Sequence, residues 1–157
     1  MSKLKFKIGV VMDPIGSISP RKDSSLAMLL EAKKRHHEIY YMEQKDLRLI
    51  NGEAKANASI IDVHDDDASW FNIKEEVAIN LADLDVILMR KDPPFDMEFI
   101  YTTYILERAE DQGVLVVNKP SALRDMNEKV YTAWFPDCAP TTLILSLIHI
   151  SEPTRPY

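Results

Sequence analysis

The segment Ile87-Leu-Met-Arg-Lys-Asp-Pro-Pro-Phe-Asp96 is the clearest guide to the fold of this chain. Three apolar residues run directly into Arg90, Lys91 and Asp92, and two prolines then prevent the strand from continuing. The pattern predicts a buried strand that ends in a charged, rigid loop. Because open α/β sheets bind ligands just beyond the carboxyl ends of their strands, this loop is a candidate site.

Upstream of this segment, the pattern predicts a βαβ unit. The run Phe6–Met12 is short, apolar and followed by Asp-Pro, which is typical of a strand that ends in a loop. Asp23 is placed to cap a helix that runs to about His36, and Glu38–Met42 predicts the second strand. Next, Asn51-Gly52 lies between strand-like stretches, which predicts a β-hairpin.

Downstream of it, Asp96 is placed to cap a second long helix that Gly113 ends. The apolar stripe predicted for this helix consists of Met97, Ile100, Tyr101, Tyr104 and Ile105. The run Val114–Asn118 predicts a parallel strand covered on both faces, followed by a short turn at Ser121–Arg124 and a helix from about Asn127 to Phe135. The alternation predicts an α/β fold, with a mostly parallel sheet flanked by helices and a β-hairpin excursion.

Composition narrows the function classes. A chain of 157 residues with 46% hydrophobic residues can form one compact domain, and its net charge of −6 argues against nucleic acid as a partner. No apolar run approaches the roughly 20 residues that span a bilayer, so we expect no membrane segment and a cytoplasmic location. Cys138 is the only cysteine, which excludes an intrachain disulfide, and we expect a packed, inert thiol.

Familiar phosphate-binding loops are absent, because four glycines at distant positions form neither a dinucleotide fingerprint nor a P-loop. Three other clusters could carry chemistry. Asp13 and Arg21–Ser25 could bind a carboxylate or phosphate through hydroxyls and helix amides, although such a pattern is more often simply a capped helix start. In Arg90–Pro94, Arg90 could grip a carboxylate and Asp92 could hold an amine or orient Arg90; the alternative is a solvated loop.

The third cluster is Asn127-Glu128-Lys129. A lysine in the first turn of the predicted helix interacts unfavourably with the helix dipole. A ligand phosphate would relieve this unfavourable interaction, although an exposed lysine also tolerates it.

The acidic run His64–Asp67, with Asp62 nearby, lacks the glycine and closing glutamate of a calcium loop, so a solvated loop is expected. His36 and His37 are placed to interact with the carboxyl end of the first helix.

Several spaced blocks resemble the bacterial glutathione synthetase family. They are Val11-Met-Asp-Pro14, Lys22-Asp-Ser-Ser25, Ala27-Met-Leu-Leu-Glu-Ala32, Leu49-Ile-Asn-Gly-Glu-Ala54, the run Leu81–Asp96 and Val117-Asn-Lys-Pro120. The resemblance extends from about residue 5 to about residue 143 and implies a pre-ATP-grasp, Rossmann-like N-terminal domain. From Leu145 onward the sequence resembles a translated sequencing-library adapter, so His149 and Glu152 receive no functional weight.

The resemblance implies an ATP-dependent carboxylate–amine ligase. In this family ATP phosphorylates γ-glutamylcysteine, glycine attacks the acyl phosphate, and Mg²⁺ or Mn²⁺ assists. It implies that Lys129 contacts ATP phosphates and, less directly, that Ser24, Ser25, Arg90 and Asp92 contact substrate. No catalytic residue and no metal ligand is expected within this fragment.

The resemblance also divides the chain. It implies a substrate domain at 1–126, the start of an ATP-grasp region at 127–144 and an adapter artefact at 145–157. The remaining ATP-grasp elements are expected downstream, so we expect this polypeptide to be inactive alone and the full-length protein to form a homo-oligomer. The alternatives are a standalone α/β binding or regulatory module, and a different ATP-grasp ligase with a similar N-terminal domain.

Overall fold

In the computed structural model, residues 5–127 and 129–144 are described, and the predicted adapter segment 145–157 lies outside them. The chain divides into two units, with the division between Leu123 and Arg124. Seven strands belong to the first unit: β1 (Lys7–Met12), β2 (Glu38–Met42), β3 (Leu47–Ile50), β4 (Glu53–Val63), β5 (Phe71–Asn80), β6 (Val86–Arg90) and β7 (Leu115–Val117). Three helices accompany them: α1 (Ser24–Lys34), α2 (Met97–Asp111) and α3 (Pro120–Asp125).

One sheet contains all seven strands. Strands β2, β1, β6 and β7 are neighbours in that order and run parallel. Strand β4 extends the sheet in the antiparallel sense by pairing with β2, β3 and β5. Helix α1 covers one face and α2 covers the other, so the predicted α/β sheet flanked by helices is confirmed.

The alternating side chains of β1 supply both cores. Val10 and Met12 pack on the α1 side with Leu26 and Leu29, and all four are at most 2% exposed. Val11 belongs to the opposite core, together with Leu106 of α2. This period-2 alternation fixes the register, because a slip of one residue would exchange the two faces.

The predicted βαβ unit and hairpin are confirmed. Asp23 caps α1 by accepting a hydrogen bond from the amide of Leu26 at 2.8 Å. Asn51 and Gly52 adopt positive φ angles of 52° and 82°, as the turn of a tight two-residue hairpin requires. Asp96 caps α2 as predicted, with its carboxylate 2.9 Å from the amide of Phe99.

The predicted apolar stripe of α2 is wrong at three of its five residues, whereas Ile100 and Ile105 are half-buried and Ile105 packs against the core. Met97 and Tyr101 are 57% and 60% exposed, and Tyr104 is exposed as well. The buried side chains are instead Phe99, Thr102, Thr103, Leu106 and Ala109. The two threonines can be buried because their hydroxyls donate to Glu98 and Ile100 carbonyls within the helix, at 2.8 and 2.6 Å.

Strand β7 is less covered than predicted. Leu115 and Val117 are 60% and 40% exposed, while Val116 is buried. Within the described residues β7 pairs only with β6, and α2 covers just one of its faces. The apolar run therefore forms an edge strand here, and the prediction of two covered faces is wrong.

Strand β5 was not predicted from the sequence. Its alternation is interrupted at a bulge, where Ile73 pairs with Ile61 and Glu75 pairs with Ile60, leaving Lys74 as the extra residue. One inserted residue turns the following side chains to the opposite face. Accordingly, Phe71 packs on the α1 side of the sheet, whereas Val77 packs on the α2 side.

The helix predicted from Asn127 to Phe135 is wrong. The second unit contains short 3-10 turns at Tyr131–Trp134 and Pro136–Cys138. The side chain of Asn127 accepts from the amides of Lys129 and Val130, at 3.0 and 3.1 Å. Such local bonds to asparagine compete with helical hydrogen bonding, and they favour a turn at this position.

Candidate functional site

The carboxyl ends of β1 and β6 lie side by side in the parallel part of the sheet. The two strands are parallel neighbours, and Met12 lies opposite Arg90 at their carboxyl ends. After β1 the chain crosses to α1 on one face, whereas after β6 it crosses to α2 on the other. This divergence makes a topological switch point, where open α/β sheets bind ligands.

Arg90 is oriented by two serine hydroxyls from the first turn of α1. Its Nη2 donates to Ser24 Oγ at 2.8 Å, and its Nε donates to Ser25 Oγ at 3.2 Å. Within the described residues, Arg90 forms no ion pair with a carboxylate. The guanidinium therefore keeps a positive charge available for an anionic group, and both hydroxyls keep a proton to donate.

Asp13 fixes the loop that follows β6. One of its carboxylate oxygens lies 2.9 Å from Lys91 Nζ, and the other accepts from the amide of Asp92 at 3.0 Å. Lys91 Nζ also donates to the carbonyl of Asp92 at 2.6 Å. We call Asp13, Ser24, Ser25, Arg90, Lys91 and Asp92 the switch-point site.

The structure brings together three of the four residues predicted to contact substrate. Ser24, Ser25 and Arg90 touch one another, whereas Asp92 contributes its backbone while its side chain is exposed. Sequence reasoning did not select the Asp13–Lys91 ion pair. The sequence carried only part of the signal: Asp13 directly follows β1 and Lys91 directly follows β6, but the pairing of these two strands is what brings them together.

A second network braces the loop after β1. The Tyr41 hydroxyl donates to Glu43 at 2.8 Å and accepts from the amide of Ile15 at 3.1 Å. Trp70 Nε1 donates to the carbonyl of Ile15 at 2.9 Å. Burial raises the pKa of Tyr41 well above its usual range, while hydrogen bonds from Lys45 and Tyr41 overcome burial and lower the pKa of Glu43. Glu43 is therefore ionised and accepts from a neutral phenol at neutral pH.

Lys129 lies in the second unit. Its side chain is exposed, and its amide is bonded to Asn127. Because the described residues on either side of Lys129 form no α-helix, the predicted conflict between Lys129 and a helix dipole does not arise among them.

Cys138 differs from its prediction, because it is exposed rather than packed. It borders a cavity of about 360 Å³ within the second unit. The other lining residues are Met126, Tyr131, Thr132, Phe135 and Ala139.

The acidic loop after β4 is held by local bonds. Asp66 accepts from the amide of Ala68 at 2.8 Å, and Asp67 forms an ion pair with Arg21. His64 Nε2 lies 3.1 Å from Asn72 Nδ2. In the described part of the chain, no three histidine, cysteine or acidic side chains form a group that could hold a metal ion.

No helix in the described residues is long and apolar enough to cross a membrane. The fold and site define the chain as a doubly wound α/β domain that carries an arginine at its topological switch point. It belongs to a specific family: residues 6–124 match the prokaryotic glutathione synthetase N-terminal domain.

The curated relatives agree with this assignment. The chain is 59% identical to a glutathione synthetase of Vibrio cholerae over 138 residues, which cover 88% of this chain and 43% of the relative. It is 61% identical to the glutathione synthetases of Salmonella typhimurium and Escherichia coli over the same length, with 44% of each relative covered. The chain thus spans less than half the length of these relatives.

Proposed function

We propose that this chain is the substrate-side part of an ATP-dependent ligase that joins γ-glutamylcysteine to glycine. The names of its relatives support this activity, and their greater length supports the proposal that the fragment is inactive alone. In the reaction, the γ-phosphoryl group of ATP passes to the substrate carboxylate and ADP leaves. The glycine amine then attacks the acyl carbon, a C–N bond forms and phosphate departs.

The observation that carries the proposal is Arg90, held by Ser24 and Ser25 without a carboxylate partner in the described residues. Both substrates are carboxylates, and a guanidinium binds a carboxylate through two parallel hydrogen bonds. We assign Arg90 to substrate binding, Ser24 and Ser25 to its orientation and to further hydrogen bonds, and Asp92 to a substrate amine.

Lys129 is proposed as a contact for ATP phosphates, and its exposed ammonium is suited to that role. Magnesium, or manganese, would neutralise the phosphates when bound. The residues described here do not provide a metal site, so its ligands are proposed to lie outside them. We propose 1–126 as the substrate domain and 127–144 as the start of the ATP-grasp region.

The activity can be tested with a chimera. Residues 1–144 would be joined to the corresponding remainder of the Vibrio cholerae relative, and phosphate release would be measured with ATP, magnesium, γ-glutamylcysteine and glycine. We expect turnover from the chimera and none from the 157-residue chain. Turnover by the chain alone, or a folded chimera without turnover, would overturn the proposal.

The role of Arg90 can be tested in the same chimera. Arg90→Ala should raise KM for one of the two carboxylate substrates by about tenfold or more, because a charge-assisted pair is lost. Arg35→Ala, which removes an exposed arginine at the end of α1, is the matched control and should leave KM unchanged. Equal kinetics for Arg90→Ala and the parent would contradict substrate binding by Arg90.

Assembly and location are also proposals. We propose that the full-length protein is a cytoplasmic homo-oligomer. Light scattering on the purified chimera would measure its mass, and a monomer would contradict the proposed assembly. Fractionation of cells that express the full gene would test the location.

A further inference from the structure

A groove of about 760 Å³ lies at the sheet edge opposite the switch-point site. The amino end of α1 contributes Ser24 and Ser25 to the switch-point site, whereas its carboxyl end lines this groove. Lys5, which precedes β1, the start of β2 and parts of β4 and β5 complete the walls. The groove therefore lies apart from the residues assigned to substrate binding.

Basic side chains dominate the walls. They are Lys5, Lys33, Lys34 and Lys74, with His36 and His37 beside them. His37 Nδ1 accepts from the amide of Phe6 at 3.2 Å, so the positive charge of the walls comes from the lysines. Only two acidic residues, Glu38 and Asp62, line the same groove. In a chain of net charge −6, this local excess of positive charge runs against the overall composition.

The two carboxylates do not neutralise the groove. Asp62 is shared by Lys33 at 2.9 Å and Lys74 at 3.9 Å, Glu38 lies 3.6 Å from Lys5, and Glu31, outside the groove lining, lies 3.7 Å from Lys34. Three carboxylates therefore face four lysines, which leaves an excess of positive charge. The lysines of α1 also complement the negative carboxyl end of that helix. That role does not account for Lys5 and Lys74, which come from other elements and whose side chains are 63% and 58% exposed.

The kind of cation and the apolar walls indicate the ligand class. The groove contains four lysines and no arginine. Lysines bind phosphate as separate point charges, whereas arginines favour the planar fork of a carboxylate. Their spread around the groove suits an anion with several charged groups. Ile39, Ile60 and Ile61 add apolar surface. We propose that this basic groove binds a polyphosphate anion, as found free or in a nucleoside triphosphate.

Calorimetric titration of the 157-residue chain with inorganic triphosphate, without magnesium and at about 0.1 M salt, tests the proposal. We expect saturable binding of one anion per chain. Lys5→Gln combined with Lys74→Gln should weaken binding by about tenfold, because two attractive charges are removed. Lys34→Gln, at a side chain that is 80% exposed, is a second variant in case the double variant is unstable.

Two controls separate this groove from other sites. Lys55→Gln removes a lysine that pairs with Glu53 and does not line the groove, so it should leave binding unchanged. Arg90→Gln should also leave it unchanged, which makes the result independent of the proposed ligase function. Absence of saturable binding, or loss of binding only in Arg90→Gln, would overturn the proposal.

Titration with ATP and with adenosine distinguishes a free polyphosphate from a nucleoside triphosphate as the ligand. Equal binding of ATP and inorganic triphosphate identifies the phosphate chain as the recognised group, and tighter binding of ATP identifies a nucleotide whose base contacts the groove. Binding of adenosine as tight as that of ATP would contradict polyphosphate recognition.

Discussion

At the scale of single residues, Asp13 is the side chain that holds the switch-point loop in place. It joins the end of β1 to both Lys91 and the amide of Asp92. Lys91 has only 17% of its side chain exposed, so the pair is partly shielded from water. Partly buried hydrogen bonds to charged groups are stronger than exposed ion pairs.

Replacement of Asp13 by alanine should therefore lower the free energy of unfolding by about 1–2 kcal/mol, since both contacts are lost. Urea denaturation measures this change. Asp65→Ala, at an exposed carboxylate in the loop after β4, is the control and should change stability by less than about 0.5 kcal/mol. Equal effects of the two substitutions would show that Asp13 is not a structural link.

His36 is a residue where glycine should improve stability. It has a φ of 65° directly after α1, and its amide bonds to the carbonyl of Lys33 while that of His37 bonds to Ala32. This is the helix-ending pattern that normally selects glycine. His36→Gly should stabilise the protein by about 1 kcal/mol in thermal or urea denaturation.

The control for that prediction is Arg35→Gly. Arg35 has an ordinary φ of −85°, so glycine relieves no strain there and should destabilise the protein. A destabilised His36→Gly variant would contradict the assignment of strain to His36.

At the scale of elements, β1 packs closely against its neighbours through Gly9. A Cβ atom at this position would lie 2.8 Å from Leu84 Cδ1 and 2.9 Å from Met42 Cε. Both contacts are side-chain ends, so a methyl group forces a smaller rearrangement than a branched side chain.

Gly9→Ala should cost about 1 kcal/mol and Gly9→Val about 3 kcal/mol in urea denaturation, because the core becomes overpacked. Gly16→Ala is the matched control, since its added Cβ would meet only Phe71 Cζ at 3.9 Å. Gly16→Ala should leave the free energy of unfolding almost unchanged. A Gly9→Val variant as stable as the parent would show that the sheet repacks without cost.

Helix α1 is joined to β4 by an ion pair that should make stability depend on pH. Lys33 Nζ lies 2.9 Å from Asp62 Oδ1, and this hydrogen bond lowers the pKa of Asp62 below its ordinary value of 3.8. A carboxylate with a lowered pKa stabilises the folded state fully above about pH 5, and this contribution is lost as pH falls through the folded-state pKa.

Asp62→Asn should consequently lower stability at pH 7 by about 1 kcal/mol, and the difference from the parent should shrink below about pH 4. Urea denaturation at several pH values measures it. A difference that stayed constant down to pH 2 would assign the effect to packing rather than to charge.

At the scale of the whole molecule, the strand order and burial of the sheet predict which strand of the first unit is most resistant to local unfolding. Strand β1 lies between β2 and β6, with a helix on each face, and Val10 and Val11 are fully buried. Strand β5 pairs only with β4 among the described strands, and most of its side chains are exposed. Buried central strands open only with global unfolding.

Native-state hydrogen exchange followed by NMR should show this order. The amides of Val10 and Val11 should exchange at the rate of global unfolding, and amides in β5 should exchange faster through local opening. Uniform protection across the sheet would indicate that β5 is part of the same cooperative unit as β1.

Local sequence patterns determined the helix starts, the hairpin turn and the strand alternation of this protein. The caps at Asp23 and Asp96, the Asn51-Gly52 turn and the alternation in β1 all act between near neighbours, so their effects are readable from sequence. The position of Arg90 at a strand end is equally local. These features were sufficient to predict the alternating fold and the loop that carries the candidate site.

Tertiary structure decided what depends on distant partners. Thr102 and Thr103 face the core because helix carbonyls satisfy their hydroxyls, while Tyr101 remains exposed. The Asp13–Lys91 pair and the groove between Lys5 and Lys74 likewise join segments far apart in sequence. Composition and periodicity describe the preference of each residue for burial, but the sheet register and the helix rotation decide which preferences are met.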